Sequence, residues 1–571
     1  MTFAIVTFKK SIQKTNQKKT KEEGQTNSIT RTHVLGSMLT RPLQLLHKHR
    51  PTLLNPSIRL SSTAVLDSTT EEINHAMSKA ASAFPIFSSA STGQVSTLLH
   101  NIAQEIEALG DELIDTAVSE SSLPEPRIRG ETARTTGQLR AFAALVEQGS
   151  WVDARLDVGG GTGRDIRRML RPLGPAVVFG ASNFPLAFSV AGGDTAAALA
   201  AKCPVVHKAH PAHPRTCELV SGAIKRAVSS SGLPEGTFSM VQGASPRVGQ
   251  ELVAHPHTKV GGFTGSLHAG RALFDIANAR PNPIPFYAEM GSVNPVVVLP
   301  GALGSKWEQI AAGLAGSVTL GAGQFCTNPG LVFTAPGTGC AKDATMVSKF
   351  ITEVARHVDN IPPSAMLTEH IHQEYIKNID RMAIGVTKDI QIKTKRKRGS
   401  DSGGIVLHVS GAVFLKHAQE LQEEVFGPST LIVEFENQEQ LNQGLVQLKG
   451  QLTATIWGNR DDFQQPSFST VLQLVTERVG RVLFNGFPTG VEVCSAMVHG
   501  GPYPASSIDE TSVGTEAIRR FTRPVCYQDC PDSLLPIELQ DANAHGIFRK
   551  VNNEYTTEGV LVEEFTKKTV V

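Results

Sequence analysis

Apolar positions recur at three- and four-residue intervals from 71 to 118, best seen in VSTLLHNIAQEIEAL, and this spacing predicts amphipathic helix. A second helical run, ETARTTGQLRAFAALVEQG, follows Pro124 and Pro126. The period then changes. RRMLRPLGPAVVFGAS ends in an unbroken apolar run between Pro175 and Gly180, as expected of a strand buried on both faces. The small-residue helix VAGGDTAAALAAKC comes next, followed by the strand PVVHKAH and the helix RTCELVSGAIKRAVSSSG, which a Gly-Leu-Pro stop closes. KVGGFTGS reads as another strand and HAGRALFDIANA as the helix after it. After Glu289 the rhythm restarts with NPVVVLP and the long helix WEQIAAGLAGSVTLGAGQFC. Strands alternating with helices at this spacing predict an α/β fold with parallel, doubly wound sheets.

The restart divides the ordered chain into a cofactor-type domain, 71–290, and a second α/β domain, 291–525, with a C-terminal segment at 526–571 in which no chemistry is evident. KTKRKRGSDSGG reads as an exposed loop. Residues 1–70 stand apart. From Gly24 to Leu66 there is no Asp or Glu, while Arg31, Arg41, Lys48, Arg50 and Arg59 are scattered among Ser, Thr and Leu. Such a basic, acid-poor leader suits a mitochondrial transit peptide, the matrix being the expected destination, with a cytoplasmic protein bearing a basic tail as the alternative.

At 571 residues, 40% hydrophobic and 19% charged, the chain has the composition of a globular enzyme of several domains. A net charge of +1 argues against a nucleic-acid partner, and no long uncharged apolar stretch argues for a membrane span. The seven cysteines are scattered without metal-site or disulfide spacing, so free thiols and no metal are expected.

Three residues carry candidate chemistry. Cys326, in GAGQFCTNPG, has a Gly-rich approach, and a thiolate is a strong nucleophile toward a carbonyl carbon. Glu289, in YAEMGSVNPVVV, sits among apolar residues where burial should raise its pKa and suit it to general base work. Asn183, in FGASNFPLAF, follows a buried strand, where its amide could donate to a developing oxyanion. Taken singly, each has a plainer reading: a buried small side chain, a locally paired carboxylate, a turn asparagine.

Together they gain meaning. The segments SNFPLA, PVVHKAHP, GGFTGS, AEMGSVNP, GQFCTNPG, EEVFGPS and NGFPTG stand in this order, and the chain resembles the aldehyde dehydrogenase superfamily over about residues 75–530. The resemblance implies a Rossmann-type cofactor domain, an α/β catalytic domain and a small β oligomerisation extension around 151–171, in a homodimer or homotetramer. It implies NAD(P)-dependent oxidation of an aldehyde to a carboxylate through a thioester on Cys326. Glu289 would activate water; Asn183 and the Cys326 backbone would hold the oxyanion. Lys208 would bind a cofactor ribose, Glu424 the nicotinamide ribose, Gly265 and Ser266 the pyrophosphate side, and Phe426 would pack beside the nicotinamide.

The position three after Lys208, where NAD-preferring members usually place a carboxylate, is Pro211. With Lys208, His210 and Arg247 nearby, NADP is expected to be accepted at least as well as NAD. Within the superfamily, ETARTTGQLRAFA, the long run from FPLAF to HPAHP, GVEVCSAMVHGGPYPASS and TSVGTEAIRRFTRPVCYQ resemble the branch acting on α-ketoglutaric semialdehyde (2,5-dioxopentanoate). A related branch acting on fatty aldehydes with NADP is the alternative; a non-catalytic relative is a more distant one. Ser292 stands where a glycine is commoner, as in the semialdehyde branch. A substrate carboxylate needs a cation, and Arg140 is preferred over Arg134, which lies about 120° away around the same helix. His499, in VHGG, could also line the site.

Overall fold

The computed structural model describes residues 65–159, 163–335, 341–395 and 403–560. The leader expectation, except for its last residues, therefore lies outside the described residues, as do most of the basic loop near 400 and the final segment from 561. The helical stretch from 71 divides into three helices, Thr70–Ser88, Thr92–Ala108 and Gly110–Ser121. The first break is capped at Ser91, whose hydroxyl accepts from Gln94 N–H while the Gln94 side chain answers. The helix Glu125–Gln148 follows and ends at Gly149 in the left-handed region.

The apolar run after Pro175 forms the strand Ala176–Phe179, buried at every position. It is central in a five-stranded parallel sheet whose order is Phe238–Val241, Val205–Lys208, Ala176–Phe179, Val260–Thr264 and Phe286–Glu289. The chain winds outward in both directions from that first strand. Such a reversal opens a crevice at the strands' carboxyl ends, the usual ligand site of open α/β sheets. Lys208, Thr264 and Glu289 are the last residues of their strands.

A second sheet has seven strands, with Leu331–Thr334 and Val296–Val298 near its middle and Val479–Phe484 at one edge. Its pairings are parallel except for the two-residue edge strand Gln391–Ile392. Both sheets match the alternation read from the sequence. The predicted helix 307–326 stops early, however: the helix is Pro300–Thr319, and Gly321, Ala322 and Gly323 turn the chain through positive φ before Cys326.

A third sheet takes in the expected ribbon. Ile166–Pro172 pairs antiparallel with Arg155–Asp157 on one side and with Thr522–Gln528 on the other. The division drawn at 525 thus falls inside a strand. Arg549–Val551 then lies parallel to Arg155–Asp157, and Glu554–Thr556 completes the sheet. The C-terminal segment is held by buried guanidinium groups. Arg549 is fully buried and donates to the carbonyls of Gln540, Asp541 and Glu558. Arg167 meets the carboxylates of Asp165, Asp532 and Asp541. No described helix is long and apolar enough to cross a membrane. Six of the cysteines are described, and all are free.

Candidate active site

Asn183 lies in the loop after the central strand. Its Nδ2 donates to the Gln324 carbonyl at 3.0 Å, beside Cys326, which leaves a second N–H for a ligand. Two groups shape the loop: His213 Nε2 lies 2.9 Å from the Ala181 carbonyl, and the buried Glu131 carboxylate accepts from Leu186 and Ala187 N–H at 2.9 Å each.

Cys326, Glu289 and His499 converge. His499 Nε2 is 3.4 Å from Cys326 Sγ and 3.1 Å from Glu289 Oε1. His499 is fully buried and Glu289 is 2% exposed. Ser512 Oγ donates to Glu289 Oε2 at 2.5 Å and is also 3.1 Å from the His499 carbonyl. Burial pushes the Glu289 carboxyl up, but His499, Ser512 and Arg520 outweigh it, and its pKa lies below the ordinary value. The raised pKa expected from burial alone is therefore corrected: donors aimed at the carboxylate oppose the desolvation penalty. The Cys326 thiol moves the other way, well above its usual range, because burial and the charges of Glu289 and Glu424 disfavour a thiolate.

Two further residues carry no signal that sequence reasoning picked up. Asn294, fully buried in the GSVNP segment, donates to the carbonyls of Cys326 (2.8 Å) and Asn328 (2.9 Å) and so fixes the loop bearing the thiol. Ser512 reaches Glu289 across 223 residues of sequence, with no local motif to mark it.

Aromatic rings and cations gather at the same loops. The Arg127 guanidinium lies 4.4 Å from the Phe184 ring centre and 4.9 Å from that of Phe325. Arg134 lies 5.1 Å from the Phe188 centre, and its buried Nη1 has no hydrogen-bond partner among the described residues. Phe188 in turn neighbours the His499 ring at 6.3 Å. The guanidinium of Arg481, held by the Pro488 and Gly490 carbonyls, is near enough to feel the Cys326 charge. Arg140 does not join them. It makes a two-point ion pair with Glu107 at 2.7 Å and is 40% exposed, so the preference for Arg140 over Arg134 is corrected. The turn of helix between the two arginines sends one to the surface and the other inward.

Several of the expected cofactor residues lie near the strands' carboxyl ends. Gly265 N–H donates to the Glu289 carbonyl at 3.0 Å, and a Cβ on Gly265 would come within 2.6 Å of the Phe263 ring. Ser266 caps the helix Leu267–Ala279 through Ala269 N–H. Ser266, Gly291 and Glu424 border an open groove. A Cβ on Gly291 would strike Glu424 Oε2 at 2.6 Å, so a glycine is needed for that carboxyl to approach. The surrounding protein pushes the Glu424 pKa up to about 8, and a carboxyl so placed suits hydrogen bonds from sugar hydroxyls. Phe426 borders a small adjoining cavity with Glu424 and Phe325. These features fit a nicotinamide dinucleotide.

At the far side of the crevice, Lys208 is partly buried, and Pro211 offers no side-chain charge. His210 adds no positive charge there: burial, His213 and Lys208 depress its pKa well below the ordinary value. Arg247 is 42% exposed but already engaged, by Glu251 Oε1 (2.9 Å) and the Ser68 carbonyl (2.7 Å).

Comparisons with known proteins agree with this architecture. The aldehyde dehydrogenase family model matches residues 47–525. Alpha-ketoglutaric semialdehyde dehydrogenase 2 of Azospirillum brasilense is 46% identical over 485 residues, 84% of this chain and 90% of the relative. The alpha-ketoglutaric semialdehyde dehydrogenase of Acinetobacter baylyi is 44% identical over 508 residues, covering 88% and 94%. Among solved structures, betaine aldehyde dehydrogenase from Staphylococcus aureus shares the fold at a TM-score of 0.69 and 18% identity, over 83% of this chain and 90% of that one. The NADP complex of glyceraldehyde-3-phosphate dehydrogenase from Methanocaldococcus jannaschii does so at 0.68 and 20%, over 81% and 95%. Matched over this length and at this identity, the chain belongs to the aldehyde dehydrogenase family.

Proposed function

We propose that the chain oxidises α-ketoglutaric semialdehyde to 2-oxoglutarate, with Cys326 as nucleophile, Glu289 as base and Asn183 as oxyanion donor. The observation that carries this reading is the meeting of Cys326 and Glu289 at His499 Nε2, beside aromatic rings that hold two arginines. The two relatives quoted at 44–46% identity carry the name of that activity.

Each residue has a definable task. His499 accepts the Cys326 proton, so the sulfur attacks the aldehyde carbon as thiolate despite its raised pKa. Asn183 Nδ2 donates to the resulting oxyanion of the thiohemiacetal. A nicotinamide held in the crevice would supply the hydride acceptor, as family membership implies, and Cys326 is left carrying the acyl group as a thioester. Glu289, ionised at neutral pH, then removes a proton from the water that attacks the thioester carbon; the C–S bond breaks, the acid leaves, and the Cys326 sulfur takes its proton back from His499. Glu424 would hold the nicotinamide ribose, and Gly265 and Ser266 the pyrophosphate.

Asn183→Ala is expected to lower kcat by roughly 10²–10³-fold with a small change in KM, since the lost donor acts on the developing charge. For the substrate carboxylate, Arg134 offers its unpartnered Nη1 and Arg481 adds positive charge. Arg134→Ala should reduce kcat/KM for the semialdehyde by about 10–100-fold through KM and leave hexanal unaffected, whereas Arg140→Ala should change neither. Steady-state rates with 2,5-dioxopentanoate, succinate semialdehyde and hexanal, with 2-oxoglutarate assayed as product, test the substrate. Hexanal preferred by a wide margin would overturn it. Assembly as a homodimer or homotetramer belongs to the same reading, and light scattering on the purified chain measures it.

A further inference from the structure

The few residues ahead of the first helix bring a carboxylate into the crevice at the end away from Cys326. Asp67 Oδ1 accepts from Ala244 N–H at 2.8 Å and Ser245 N–H at 3.2 Å, while Ser245 Oγ donates to Oδ2. Arg247 Nη2 lies 4.0 Å from Oδ2. The approach is built in. Gly243 has φ +154, and a Cβ there would sit 2.8 Å from Asp67 Oδ1. The segment is also pinned: Ser68 N–H donates to the Gln242 carbonyl, Gln242 N–H donates to Ser68 Oγ, and Thr69 caps the helix beginning at Thr70. Lys208, paired with Val241 on the neighbouring strand, is close enough to feel the Asp67 charge.

Two backbone N–H groups, a hydroxyl, a guanidinium and a nearby ammonium form a donor set suited to a phosphate. Its place in the sheet says which phosphate. A dinucleotide must present its nicotinamide to Cys326 and Glu289, beyond the edge strand Phe286–Glu289. Its adenine ribose then lies across the crevice, over Lys208 and the loop that follows Val241. That is where Asp67 sits.

We propose that Asp67 is the cofactor-discriminating residue of this chain: its carboxylate fills the nest that a 2′-phosphate on the adenine ribose would require, so the chain selects NAD over NADP. The inference rests on reading the crevice as the dinucleotide site. A ribose 2′-hydroxyl can donate to the Asp67 carboxylate. A 2′-phosphate would either displace that carboxylate from its donors or lie against a like charge. This reverses the preference for NADP drawn from Pro211 and Lys208 alone, because a carboxylate already stands among the Ala244 and Ser245 donors, within range of the Arg247 and Lys208 charges.

Calorimetric titration of the full chain with NAD, NADP and adenosine 2′,5′-bisphosphate tests the proposal without turnover. The native chain should bind NAD more tightly than NADP. Asp67→Ala should tighten NADP and the bisphosphate by about 10-fold or more while NAD changes by less than about 3-fold, the tenfold step corresponding to one charge-assisted contact regained. Asp67→Asn, which keeps the shape and loses the charge, should fall between. Adding Arg247→Ala to Asp67→Ala should remove most of the gain. A merely structural tether would lower thermal stability and leave the NADP-to-NAD ratio unmoved; that result, or a native chain preferring NADP, overturns the proposal. Failure of every ligand to bind either protein would instead bring down the dinucleotide reading on which it stands.

Discussion

Cys326→Ala is expected to abolish aldehyde-dependent reduction of the nicotinamide cofactor, a loss of roughly 10⁴–10⁶-fold in kcat, since no other thiol among the described residues stands at the site to form the thioester. The other described cysteines offer no substitute: Cys203 and Cys217 are fully buried, and neither they nor Cys494, Cys526 and Cys530 share the contact with His499 and Glu289. Stopped-flow absorbance should show neither burst nor steady state, and calorimetry should show NAD binding unchanged. Burst and turnover at native rates in the alanine protein would remove Cys326 from the chemistry. The native acylation rate should also depend on pH in a defined direction. The thiol pKa is raised, so the thiolate fraction, and with it the burst rate, should climb as pH rises above neutrality.

Glu289→Gln separates the two halves of the reaction. The amide cannot take a proton from water, yet it leaves Cys326 and Asn183 in place. A burst of about one reduced cofactor per active site should survive, followed by turnover slowed by roughly 10²–10⁴-fold. Mass spectrometry of the stalled protein should find the acyl group on Cys326. The pH dependence has the opposite sense to that of acylation. With its pKa held below the ordinary carboxylate value, Glu289 is ionised throughout the neutral range, so native deacylation should be flat there and fall only on the acid side. An undiminished steady state in the Glu289→Gln protein would show that some other group activates water.

Much of the fold was legible because its signals are local. The unbroken apolar run at 176–179 and the alternation around it led to parallel sheets, and the three reacting residues lie in short segments at strand ends and turns. What escaped the sequence was contact at a distance. Arg134 and Arg140 share a helix, and its period separates their directions without saying which one faces inward. The answer comes from Glu107 on a neighbouring helix, which pairs with Arg140. The lowered pKa of Glu289 depends on His499 and Ser512, more than 200 residues away, so a rule based on burial alone has the wrong sign. Asp67 and the Ala244–Ser245 amides are likewise 177–178 residues apart, and while Glu251 stands one helical turn from Arg247, the Ser68 carbonyl that also holds it lies 179 residues away.

The ribbon sheet has a consequence for biosynthesis. Arg155–Asp157 is translated long before Arg549–Val551; the adjoining contact of Val158 with Asn552 spans 394 residues. Through most of elongation the nascent polypeptide therefore carries a naked strand edge, and the carboxylates of Asp532 and Asp541 are not yet available to Arg167. Unpaired edges invite wrong partners. The interval between emergence of the first strand and arrival of its late neighbour is when this polypeptide has greatest need of a chaperone.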